Sequence, residues 1–172
     1  RSCTVGHASG KERTGGSPVE AWELDAREQI RVLVAAYNAL GDRGRFDAVM
    51  ALFADDAVMD IGDGRSYEGL DEIRTIFTGT RDSVLDGDGG GGGPRFLQHH
   101  TTGLHITMDG RHEAAGHAYF TVMTDLGIDH WGRYQDAYRP LDGDWKFASR
   151  RVRIDGTTPG GWADTRLNGP ST

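Results

Sequence analysis

Apolar residues enter a helical rhythm just past Trp22. Ile30, Leu33, Val34, Tyr37 and Leu40 recur every three or four positions, and Gly41 follows where such a helix ends, so the pattern predicts a first helix. After the GDRGR turn, Phe46, Val49, Met50, Leu52 and Phe53 keep the same spacing and predict a short second helix folded back on the first. Ala57 to Ile61 reads as a strand and GDGR as its turn. Ser66 to Gly69 is a brief return strand running into a third helix, with Leu70, Ile73, Ile76 and Phe77 on its buried side.

The second half changes its period. Phe96 to Met108, Glu113 to Thr124, His130 to Pro140 and Trp145 to Ile154 are extended runs, split by the turn-forming MDGR, TDLG and LDGD. Helices followed by a meander predict an α+β domain over residues 22–156, with a curved, antiparallel (mixed) sheet wrapping the helices and leaving a pocket. Residues 1–21 carry Gly, Ser, Thr and charge with few apolar anchors and read as a disordered extension. Residues 86–94 read as a glycine-rich loop and 157–172 as a C-terminal tail.

Composition narrows the partners. The 172 residues suit one domain, and a formal charge of −7 argues against a partner that clamps a nucleic-acid backbone. Cys3 is the single cysteine, which removes internal disulfides and cysteine-based metal sites. No apolar run approaches the roughly 20 residues of a membrane span. The expectation is a cytoplasmic protein binding a small molecule, with neither nucleic acid nor membrane as partner. Whether Arg1 is the true start is open.

Several short motifs then gain weight from their order. Tyr37-Asn38-Ala39-Leu40-Gly41-Asp42 is followed by FDAVMALFADDAV from Phe46 and by Tyr67-Glu68-Gly69 ahead of a helix. His99-His100-Thr101-Thr102-Gly103, GRYQD from Gly132, and DGDWKF from Asp142 with Arg150 come later. Together, over roughly residues 24–156, they resemble SnoaL-like proteins of the nuclear transport factor 2-like superfamily, among them polyketide cyclases, scytalone dehydratase and a hexachlorocyclohexane dehydrochlorinase. The resemblance implies a cone-shaped sheet around an N-terminal helical hairpin plus a third helix, a hydrophobic cyclic metabolite as ligand, and a homodimer or higher homo-oligomer. It also implies a lyase or isomerase that needs no cofactor. In the dehydratase and dehydrochlorinase members an Asp and a His form the catalytic dyad, and Asp42 and His99 stand in the matching places.

Those residue types suit elimination. An imidazole, with an ordinary pKa of about 6.5, takes a proton near neutrality, while a carboxylate on its other nitrogen fixes the tautomer and stabilises the imidazolium. Arg150 is expected to steady a leaving anion or an enolate, and Tyr37 to donate a hydrogen bond; with His100 they make the substrate-binding set. Each has a plainer alternative: Asp42 as a turn former, Tyr37 as a core aromatic, Arg150 as a solvated cation beside Arg151 and Arg153.

Strand parity sharpens the choice of histidine. Leu104, Ile106 and Met108 share parity with His100, so a regular strand aims His100 at the pocket and His99 away from it, whereas a bulge near Thr101 to Gly103 reverses this. A similar break between Phe147 and Arg150 predicts a bulge around Ala148 and Ser149 that turns Arg150 inward. The resemblance puts Ile61 where ketosteroid isomerase carries its Asp base, and Asp60 beside it should face the other way. Arg133 with Asp136 leaves epoxide hydrolysis as a minor reading. His105, His112, His117 and His130 form no compact ligand set, and no phosphate loop or dinucleotide turn is present, so neither a metal nor a cofactor is expected. The rival reading is a non-catalytic ligand-binding or dimerisation domain of the same fold.

Overall fold

The computed structural model describes residues 18–87 and 93–168. In chain order the elements are α1 (Ala21–Gly41), α2 (Phe46–Met50), β1 (Phe53–Asp60), β2 (Tyr67–Glu68), α3 (Gly69–Gly87), β3 (Gln98–Asp109), β4 (Glu113–Thr124), β5 (Gly127–Leu141), β6 (Asp144–Thr157) and α4 (Trp162–Asn168). The strands form one curved, unclosed sheet in the order β2-β1-β6-β5-β4-β3, with β1 and β6 parallel and the other neighbours antiparallel. This is the α+β cone the pattern predicts.

Burial follows the two periods. α1 buries Ala26, Ile30, Leu33, Val34 and Tyr37 against β3 and β6, while every even-numbered residue of β4 from Ala114 to Thr124 is buried. The main core lies between helices and sheet, where Ile30, Val49, Ile73 and Phe147 are fully enclosed; each such side chain contributes about 1.5–3 kcal/mol. Ala118, Phe120, Val122 and Tyr134 form a second cluster, with the Phe120 and Tyr134 rings stacked at 4.6 Å.

Both bulges are present. On β3 the register passes from Thr102 opposite Tyr119 to His105 opposite His117, so Gly103 and Leu104 share the single place opposite Ala118, and Gly103 takes a φ of 62°. On β6 the pairing passes from Ser149 opposite Ala137 to Phe147 opposite Tyr138, which leaves Ala148 as the extra residue. These two irregularities decide where His99 and Arg150 point.

The structure departs from the sequence pattern at β1, which begins at Phe53 although the helical spacing predicts that the second helix runs on through that residue, and again beside the glycine tract and in the tail. α3 runs on through Gly87, past the expected start of the loop, and the central glycine tract at 88–92 lies outside the described residues. The N-terminal segment read as disordered lies outside them as far as residue 17. The tail contains a helix, α4, whose first backbone N–H groups, of Trp162 and Ala163, donate to the Asp129 carboxylate at 2.6 and 3.2 Å. A cap supplied from 33 residues away leaves no local signature.

Candidate active site between the first helix and the third strand

Asp42 closes α1. Its backbone N–H donates to the Asn38 carbonyl at 2.9 Å, which leaves its carboxylate at the negative end of the helix dipole, an unfavourable place without donors. His99 supplies two. Its backbone N–H donates to Oδ2 at 3.0 Å, and its Nδ1–H donates to Oδ1 at 2.6 Å. The imidazole is thereby held in one tautomer with Nε2 as its basic nitrogen.

The bulge makes this possible. With Gly103 absorbing one residue, His99 and Thr101 share the inward face with Leu104 and Ile106, while His100 alternates outward and is exposed at the rim. Asp42 and His99, with side chains 19% and 28% exposed, open onto a cavity of about 860 Å³ between α1 and the start of β3. Val34 and Asn38 of α1, Thr101 and Leu104 of β3, and Phe96 and Leu97 just before β3 are among the residues that line it.

Tyr37 and Arg150 lie outside that lining, in a buried polar cluster. The Arg150 side chain is fully enclosed, donating from Nε and Nη2 to the Asp136 carboxylate at 2.9 and 2.8 Å, with Tyr138 Oη donating to the same carboxylate at 2.8 Å. Gly116, opposite Asp136, lacks the Cβ that would stand 2.5 Å from that hydroxyl. The guanidinium carbon lies 4.0, 4.2 and 4.3 Å from the ring centroids of Tyr37, Tyr134 and Phe147. Burial opposes the charge on Arg150, but Asp136 outweighs it and keeps the guanidinium protonated; burial likewise pushes the Tyr37 hydroxyl up and keeps it neutral. The inward turn of Arg150 thus serves a core ion pair, and the solvated-cation alternative does not hold.

The family model for the SnoaL-like domain matches residues 22–151. The chain belongs to that family. Among solved structures, it is similar to a protein provisionally assigned as a scytalone dehydratase from Novosphingobium aromaticivorans, at 21% identity and a TM-score of 0.67 over 80% of this chain and 89% of the other. It is similar to a hexachlorocyclohexane dehydrochlorinase, LinA-type3, from Novosphingobium barchaimii, at 17% identity and a TM-score of 0.66 over 80% and 91%. An NTF2-like protein with a cystatin-like fold, also from N. aromaticivorans, gives 20% and 0.66 over 81% and 88%. At these identities the likeness establishes the fold. No curated protein matches the chain.

Within this SnoaL-like frame, other candidates separate cleanly. Asp60 turns away from the core onto Arg153, at 2.8 Å, and Arg151; the Arg153 guanidinium above all holds its carboxyl down at about 2, while Ile61 packs against the apolar core. Arg133 pairs with Asp155 on the outer face while Asp136 points inward to Arg150, so Arg133 and Asp136 cannot flank one substrate and the epoxide reading is corrected. His130 is buried with Nδ1 on Asp129 at 2.7 Å, in the same cross-strand row as Val122 and His99. Among the lining residues that the sequence pattern does not single out are Asn38 and Thr101, whose side chains hydrogen-bond to each other. Asn38 stands one helical turn before Asp42, a spacing that puts both on one face.

Proposed function

We propose that this SnoaL-like chain is a lyase that needs no cofactor, or an isomerase where the abstracted proton returns to another carbon, acting on a small hydrophobic cyclic compound held between α1 and β3. The observation that carries it is the two-bond clamp of Asp42 on His99 at the edge of a cavity. His99 Nε2 takes a proton from carbon, the C–H electrons become the new C=C bond, and the bond from the neighbouring carbon to the leaving group breaks, releasing that group as an anion. Asp42 and the C-terminal end of α1 stabilise the imidazolium, which then returns its proton to the departed anion or to water. The dehydratase and dehydrochlorinase assignments of the structural neighbours support elimination as the reaction class. Val34, Leu97 and Leu104 supply the apolar surface.

The test begins with a metabolite screen by thermal shift, since a bound ligand stabilises the fold by mass action. With a substrate in hand, His99→Ala should lower kcat by a factor on the order of 10² to 10⁴, and Asp42→Asn should also slow turnover. The double variant should lose little more than His99→Ala alone, because the two act as one unit. Full activity in His99→Ala would overturn the proposal. A ligand that stabilises the fold yet is never turned over would favour the non-catalytic reading.

A further inference from the structure

Around the dyad, hydrogen-bonding capacity is unevenly used. Both carboxylate oxygens of Asp42 are occupied by His99, and Asn38 Nδ2 donates to Thr101 Oγ1. Asn38 Oδ1 is buried with no partner, although the residue is only 8% exposed and lines the cavity. A buried carbonyl left without a donor is costly, so such an atom marks a place where a donor belongs.

We infer that the cavity takes a ligand bearing a hydroxyl or N–H group, which donates to Asn38 Oδ1 one helical turn from the carbon that faces His99. Asn38 and Asp42 are four residues apart on α1, about 6 Å along its axis. That separation lets one ring place a hydroxyl against Asn38 and a C–H bond against the imidazole held by Asp42. Arg31, Gln98 and the Thr101 hydroxyl bring donors to the same lining, and His99 Nε2 is turned to the C–H bond, so Asn38 Oδ1 is the acceptor that a ligand hydrogen completes. A hydroxylated ring satisfies it. A purely halogenated hydrocarbon, with no O–H or N–H, leaves Asn38 unsatisfied, so the inference separates hydroxylated from purely halogenated compounds as substrate classes. It rests on this cavity being the ligand site and does not require that His99 be catalytic.

The experiment compares 1-naphthol, 1-methoxynaphthalene and naphthalene as probes of the whole chain by NMR titration, following the Asn38 side-chain amide. 1-Naphthol should bind roughly 5- to 100-fold more tightly than the methoxy compound, the span expected for satisfying one buried acceptor. Asn38→Leu, similar in shape but without the acceptor, should remove that gap by weakening 1-naphthol alone, while His99→Ala should keep it. Equal or reversed affinities in the wild type, or no binding of 1-naphthol at millimolar concentration, overturn the inference whether or not the leucine variant folds. A preference that survives Asn38→Leu overturns it too. Loss of turnover chemistry with an intact naphthol preference would sink the lyase reading and leave this one standing.

Discussion

Asp136→Asn should destabilise the fold more than almost any other isosteric change in the sheet. Asp136 and Arg150 both have fully enclosed side chains, and the carboxylate accepts three hydrogen bonds, two from Arg150 and one from Tyr138. Asparagine keeps the shape and one acceptor oxygen but strands a guanidinium that cannot shed its proton. Breaking a buried pair in this way costs about 3–5 kcal/mol, and the three flanking rings do not offset it because they already act in the wild type. For a domain of this size the loss corresponds to a fall in Tm of roughly 6–20 °C. Urea denaturation with a double-mutant cycle measures it. Arg150→Met should cost less than Asp136→Asn, and its cost should shrink as the pH falls, since a stranded carboxyl can take up a proton. Asp136→Leu combined with Arg150→Met should recover most of the loss, as apolar pairs of similar volume do. The reasoning fails if Asp136→Asn costs under about 1 kcal/mol, or if the double variant shows the sum of its singles.

Gly103→Val should cost about 1–2 kcal/mol, because a φ of 62° lies in the left-handed region that a β-branched residue avoids. Deleting Gly103 should cost less than filling it, since Thr102 and His105 keep their partners on β4; a deletion costlier by denaturation than the valine would contradict the bulge. Burial lowers the pKa of His130 against the pull of Asp129, so the folded state binds fewer protons there than the unfolded chain does. Stability from this residue is therefore full above about pH 6.5 and declines as the pH falls from there toward the folded-state value. Tm of the wild type should drop across that window, and His130→Asn should flatten the drop; an unchanged slope would assign it to other groups.

What could be read before the structure, and what could not, divides by the range of the interaction. The three main helices and the four long strands follow from periods that depend on neighbours three, four or two residues apart, and the bulges follow from breaks in those periods. Leu104, Ile106 and Met108 had to face the core, so His99 could reach the same side only if one residue were absorbed before them, and Gly103 could take the required φ. The same logic turned Arg150 inward. It did not disclose the acceptor, because Asp136 meets Arg150 only through the register of β5 on β6, a contact no local pattern encodes. The cap of α4 by Asp129 escaped for the same reason. Asn38 was within reach. It stands among Ile30, Val34 and Tyr37 on the buried side of α1, where a polar side chain breaks the helical apolar pattern at a cost. Thr101 and Asp136 break the alternation of their strands in the same sense. Asp136 finds its counter-charge inside the core and is structural, whereas the Asn38–Thr101 pair, in the lining of a cavity beside an imidazole, leaves one buried oxygen without a donor. An unpartnered atom alone does not separate the two, since Arg150 Nη1 is also buried without an acceptor; what sets Asn38 apart is that it lines the cavity beside the dyad.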